Sequence, residues 1–421
     1  MRPSAFGRLT WMTGLIVLAV ALAGCQGQEV TGARIAPAVV AEAGAVAPVT
    51  QQDPTPTALP PATVRPSPTP IPTARPTATP SPTSTPAPTP TPTQTPAPQA
   101  VRLTTGGCCT QPFWSPDSAQ VRFIDKRGSE ALAGIWGVPV AEPGAEPKLV
   151  SERVEESLAR GDYLVETSGT RTNIRRLSDG QQWTVPAGGR SVLISPAETH
   201  IAWVTANDDL PPDQQVATVW VANLDGSGAR KAATLRRGGL SGWISEDALL
   251  VSGRESAASP DQVLWALSLS DGARVEIARA ERLRSPTLSP SGNWVAYYVT
   301  FAADPAQNGL WLARTDGSLR RPVSRDLFGA YQWRPCPVGG TCSPAEERLL
   351  IVPFKPDTVF HELWELDAAT GEARQLTDPA TTPFKIANGD WRVSPDGRYV
   401  AFVESKDRNI WTIELPLRAP L

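Results

Sequence analysis

The sequence predicts an all-β chain: a single β-propeller, most simply of seven four-stranded blades, with six or eight as the neighbouring counts. An N-terminal strand completes its last blade, and a disordered Pro/Thr-rich linker precedes it. Three observations lead there. An apolar residue followed by tryptophan recurs along the chain, a Ser-Pro turn stands about twenty residues ahead of it, and the final copy stops one strand short.

The tryptophan marker sets the period. It appears as Ile135-Trp136, Val219-Trp220, Leu264-Trp265, Leu310-Trp311, Leu363-Trp364 and Ile410-Trp411, at separations of 84, 45, 46, 53 and 47 residues. Self-similarity at roughly 40 to 50 residues belongs to propellers and solenoids. The first gap is two periods wide and holds a copy in "DYLVETSGTRTNIRRLSDGQQWTVP", where Asn173-Ile174 replaces the tryptophan pair. That makes seven units.

The second marker is turn chemistry. "WSPDSAQVRFI" from Trp114, "ISPAETHIAWV" from Ile194, "LSPSGNWVAYYV" from Leu288, "CSPAEERLLIV" from Cys342 and "VSPDGRYVAFV" from Val393 carry it well, and "ISEDALLV" from Ile244 poorly. Proline presets φ, serine and aspartate bond nearby backbone, and glycine takes the left-handed conformation. The β-branched and aromatic run that follows, such as Tyr399 to Val403, is a strand. A further Asp-Gly turn, as at Asp225-Gly226 or Asp316-Gly317, leads into an outer strand. Four antiparallel strands per unit make one blade. The pattern resembles the TolB-type, PD40 or WD40-like propeller repeat over residues 101–421. That resemblance implies the fold and no single activity, because the family spans envelope interaction proteins, peptidase propellers and lyases.

The chain ends explain each other. After Trp411 only "TIELPLRAPL" remains, with no outer strand, whereas "AVRLTT" from Ala100 is one strand too many before the first unit. The segment Val101 to Leu103 is therefore expected to close the last blade, which removes an exposed sheet edge.

Ahead of the propeller lie two segments of other character. Seventeen of the 44 prolines fall between Gln51 and Ala100. Such a segment has little to bury and should be an extended tether reaching on the order of 100 Å or more. At the start, Arg2 and Arg8 precede an apolar run that ends in Leu22-Ala23-Gly24-Cys25. This is the anatomy of a secretory signal, and the tetrapeptide resembles the bacterial lipobox, which implies lipidation of Cys25. The expected organisation is a lipoprotein signal peptide over 1–24, a lipid-anchored Ala/Pro/Thr-rich tether over 25–100 and the propeller over 101–421, with the mature protein facing an extracytoplasmic, oxidising space.

Four further cysteines allow three full pairings. Cys336 and Cys342 bracket five residues with two glycines, a loop that brings them together as a disulfide. The adjacent Cys108 and Cys109 remain open between a vicinal disulfide, free thiols and a soft-metal site.

Catalytic signals are sparse. Of the two histidines, His200 sits at a strand entry, and His361 in "HELWEL" does not make the His-Glu-x-x-His zinc pattern. There is no Gly-x-Ser-x-Gly elbow and no phosphate-cradling glycine loop, so neither cofactor nor metal is expected. Asp117 and Asp396 are expected as turn caps, and the repeated tryptophans as blade packing. Trp243, Trp333 and Trp391, near inner strands, are candidates to line a central mouth. A net charge of −3 without a basic face argues against nucleic acid. The expected function is a noncatalytic, lipid-anchored envelope scaffold that binds another protein. The alternatives are a propeller that binds or senses glycans or small solutes, and a glycan hydrolase or lyase using channel carboxylates.

Overall fold

A computed structural model of the protein describes residues 99–421 apart from 108–109, 128–132, 208, 212–213, 337–341, 387–389 and 418–421. The expected signal peptide, nearly all of the expected tether, Cys25, Cys108 and Cys109 lie outside the described residues. Among the described residues of the unit Thr89–Leu421, 26 strands form six hydrogen-bonded sheets: four of four strands, one of three and one of seven. The seven-stranded sheet is two successive meanders that share the long strand Arg230–Ser245, so the chain is a β-propeller of seven blades.

Blade one contains Thr110–Trp114, Gln120–Asp125, Gly134–Pro139 and Lys148–Ser151. Blade three runs through Leu193–Ile194, His200–Ala206 and Val216–Asn223 into the shared strand, and blade four continues through Ala248–Arg254, Gln262–Ser268 and Arg274–Ala280. Blade five is Leu283–Leu288, Trp294–Val299, Gly309–Arg314 and Arg320–Ser324. Blade six is Gly329–Trp333, Arg348–Pro353, Trp364–Asp367 and Ala373–Gln375. Blade seven is Trp391–Val393, Tyr399–Val403 and Ile410–Glu414, completed by Ala100–Arg102 in the register Val101 opposite Thr412. The ring is closed as the two chain ends predict, and Leu103 N–H continues the closure by donating to Ile410 O at 2.8 Å.

Blade two departs from the expected four strands. Tyr163–Ser168, Arg171–Arg176 and Gln182–Val185 form it, and a 3-10 turn over Val154–Leu158 stands where the inner strand would begin. The sequence there, "VEESL", has neither alternation nor a Ser-Pro turn to start a strand pair. Compact apolar clusters lie between neighbouring blades, blade two included: Tyr163, Ile174 and Val185 pack on Ile201 and Trp203 of blade three. One joins Leu103, Trp114 and Phe123 to Val403 and Ile410, and another joins Leu350 and Val352 to Phe384, Trp391 and Phe402. In blades five and six the second strand is wholly inside, at Trp294–Val299 and Arg348–Pro353.

Two hydrogen-bond series repeat around the ring. At the inner strands, an indole donates to the preceding blade's inner strand: Trp243 Nε1 to Leu193 O at 3.0 Å and Trp333 Nε1 to Thr287 O at 3.1 Å. Trp114 Nε1 to Arg392 O at 3.0 Å does the same across the closure. At three of the Ser-Pro turns, the third residue's N–H is received by the following blade. Ala197 N–H bonds Glu246 Oε1 at 2.5 Å, Ser291 N–H bonds Glu347 Oε1 at 2.8 Å, and Asp396 N–H bonds Ser118 Oγ at 3.0 Å. Burying an indole N–H or a turn amide without a partner would be costly, so these bonds fix the angle at which blades meet.

Candidate functional site

The turn aspartates are structural. Ser115 Oγ and Ser394 Oγ each donate to the aspartate two residues on at 2.5 Å, and Ala119 N–H adds a bond to Asp117 at 3.0 Å. The Ser115 hydroxyl, then the Ala119 amide, hold the Asp117 carboxyl below the usual carboxylate range. The three inner tryptophans do not open onto a mouth: Trp243, Trp333 and Trp391 are all buried, two of them spent on the indole bonds above. Cys336 and Cys342 form a disulfide with Cα atoms 5.4 Å apart, at the turn of blade six.

The six inner strands carry no carboxylate. The charged residues on them are Arg284 and Arg392. Burial, reinforced by the nearby Arg160 charge, lowers the Arg392 guanidinium from its ordinary value. Two carboxylates facing each other from these strands, which acid–base glycan cleavage would need, are not available among them.

On the opposite side from the Ser-Pro turns, the loops of blades five, six and seven build an aromatic belt. Phe301 and Phe328 are 54% and 55% exposed and meet edge-on, with ring centroids 5.8 Å apart. Phe328 O accepts from Phe354 N–H at 3.1 Å, and Phe354 packs on His361 with centroids 5.0 Å apart. Phe360 then lies under the Lys406 ammonium of blade seven at 4.9 Å. Leu327 and Val359 are exposed in the same loops.

Local chemistry holds the belt in place. Phe301 adopts φ +55°, unusual for a bulky residue. Its neighbours pin it: Ala302 N–H bonds Asn308 Oδ1 at 2.9 Å, Ala303 N–H bonds Glu281 Oε2 at 2.9 Å, and Asp304 caps the turn Pro305–Gln307. Phe328 precedes Gly329, where a Cβ would fall 2.5 Å from Tyr298 Oη and 2.8 Å from Val352 O, so only glycine lets the chain pass there. Lys355 Nζ bonds Glu362 Oε2 at 2.8 Å, and this ammonium is the main reason the Glu362 carboxyl lies below its usual range. His361 receives Ile386 N–H on Nδ1 at 3.4 Å. Burial, then the Lys385 charge, depress its imidazole, which keeps it neutral.

The sequence reading missed this belt. Its aromatics sit singly in loops of differing length, and the available signal was four phenylalanines in segments otherwise rich in turn formers.

The other histidine, His200, lies with Nδ1 3.4 Å from Glu246 Oε2 at the rim of a small cavity of about 200 Å³ between blades three and four. Glu246 is already engaged by Ala197 N–H and by Thr199 Oγ1 at 2.8 Å. It therefore serves as a cap and not as a poised base. Among the described residues no group of three or more His, Cys, Asp or Glu side chains gathers as a metal site, and no helix is long and apolar enough to cross a membrane.

No protein-family model matches the chain, and no curated protein matches it. Solved structures similar to it include an oligogalacturonate lyase from Vibrio parahaemolyticus, at 10% identity and a TM-score of 0.44 over 76% of this chain and 91% of that one. TolB from Acinetobacter baumannii is 11% identical with a TM-score of 0.37, covering 70% and 79% of the two chains. The β-propeller domain of the Trilobed protease from Pyrococcus furiosus is 12% identical with a TM-score of 0.39, covering 73% and 78%. At these identities and scores the likenesses carry nothing about activity, ligand or partner to this chain.

Proposed function

We propose that the protein is a noncatalytic binding scaffold of the cell envelope, whose loop face over blades five to seven docks another protein. The single observation that carries this reading is the exposed, backbone-anchored pair Phe301 and Phe328. Exposed aromatics fixed in position, flanked by Leu327 and Val359 and rimmed by charged Lys355, Glu362 and Lys406, have the anatomy of an interface centre with a polar rim. In this reading a lipid on Cys25 holds the chain to the membrane and the Pro/Thr-rich segment supplies reach. The inner strands, without carboxylates, favour binding over acid–base chemistry.

The test is in-cell crosslinking of the tagged full-length protein, wild type against Phe301→Ser/Phe328→Ser, with identification of captured proteins by mass spectrometry. A defined envelope protein captured by the wild type and lost from the double variant, at equal protein level, supports the reading. Capture that is unchanged in the double variant removes the loop face from consideration, and loss of capture in Cys25→Ser alone tests the anchor.

A further inference from the structure

A second feature lies away from the belt, on the seam between blades three and four. A cleft of about 490 Å³ opens there, lined by Val216, Leu235, Trp265 and three arginines, Arg236, Arg254 and Arg274, with Glu255 at its edge. Both Glu255 oxygens are engaged by Arg279 at 2.7 Å, and Glu276 shares that guanidinium at 2.6 Å, so three arginines line the cleft against at most one unmatched carboxylate charge. No ion pair joins Arg236, Arg254 or Arg274 to a carboxylate among the described residues.

The arrangement of these cations is specific. Arg236 and Arg254 stand directly opposite each other in the ladder between the shared strand and its neighbour. Like charges in directly opposed positions repel, and a sheet with no use for them would not place them so. Two of the guanidinium groups are held by backbone: Arg254 Nη1 donates to Ser259 O at 3.0 Å, and Arg274 Nη2 donates to Thr234 O at 3.0 Å while lying over the Trp265 ring at 5.4 Å. The strand itself bends beside the cleft. Arg237 has φ +46°, and at Gly238 a Cβ would strike Ser252 O at 1.9 Å. This bend lets one strand serve two blades and brings Arg236 to face Arg254.

We infer that this cleft is a binding site for a multivalent oxyanion, a small molecule bearing two or more phosphate or carboxylate groups. Guanidinium forks match the geometry of either group, and several fixed donors around one concavity select multiple charge over single charge. The volume lies in the usual range of small-ligand sites. The site does not depend on the loop face and stands or falls apart from it.

The experiment is thermal denaturation of the full-length protein with inorganic pyrophosphate or citrate at constant ionic strength, with chloride as the monovalent control. A site predicts a saturable rise in Tm with at least one of the two probes and none with chloride. Comparing pyrophosphate with citrate tells phosphate from carboxylate preference. Arg236→Gln, which loses no side-chain hydrogen bond seen here, should weaken the effective probe about tenfold. Arg236→Glu supplies a counter-charge to Arg254, so it should raise Tm without probe and abolish the response. The inference is overturned if neither probe gives a saturable rise, or if the rise persists unchanged in Arg236→Glu.

Discussion

The indole of Trp114 donates to the carbonyl of Arg392 at 3.0 Å, joining the first inner strand of the ring to the last across 278 residues of sequence. It is the same bond that Trp333 makes to Thr287, at 3.1 Å, between blades neighbouring in sequence. The closure is therefore built with ordinary inter-blade chemistry, and it adds the Ala100–Arg102 strand to it.

Trp114→Phe should keep most of the apolar packing and remove the indole donor, while the Arg392 carbonyl keeps its place opposite Ala401 in the ladder. The expected loss is about 1 kcal/mol, read as a lower urea midpoint at unchanged slope. Trp333→Phe should cost a similar amount. A loss at Trp114 far below that at Trp333 would show that the closing contact is dispensable and that the ring is held by its outer strand alone.

Much of this architecture was legible because propeller repeats write themselves twice, in turn chemistry and in strand pattern. The Ser-Pro turns and apolar-Trp strands fall where their spacing puts them, and the surplus segment before Thr104 fills the vacancy after Trp411. Blade two has three strands where the repeat implies four, because "VEESL" ahead of Tyr163 carries neither the Ser-Pro turn nor strand alternation. The poor copy at Ser245-Glu246-Asp247 had a reason that sequence could not show: Glu246 caps the turn of the blade before it. The belt and the arginine cleft were invisible for a related cause. Phe301 and Phe328 are 27 residues apart, Arg236 and Arg274 are 38 apart, and only strand pairing and blade packing in the fold bring each set together.

Glu365 is wholly buried, yet it is a carboxylate. Arg334 Nη1 bonds its Oε1 and Arg374 Nη2 its Oε2, each at 2.5 Å, while Arg334 also donates to Gly397 O at 2.6 Å and to Pro416 O at 2.9 Å. Burial lowers the Arg334 guanidinium from its ordinary value and the Glu365 charge opposes this, so each ion relies on the other. Glu365→Ala leaves buried cations uncompensated and should cost about 3–5 kcal/mol. The exposed pair Arg398 with Glu414 is the internal comparison, and Glu414→Ala should cost at most about 1 kcal/mol. Equal losses at the two sites in denaturant titrations would mean that the buried network does not bind blade six to blade seven.

His361 supplies the pH dependence. Its imidazole is neutral in the fold because burial, then Lys385, push it below the ordinary value of 6.5, while the unfolded chain keeps that ordinary value. As pH falls through about 6.5 the unfolded state takes up the proton first, so unfolding is favoured. The contribution of His361 is thus fully present above about pH 6.5 and is lost as pH drops toward the depressed folded value. The urea midpoint of the wild type should fall between pH 7.5 and pH 5.5. In His361→Gln, which retains an acceptor for Ile386 N–H, that fall should shrink. Because the chain has only two histidines, an undiminished fall in the variant would assign the effect to another group and leave His361 charged in the folded protein.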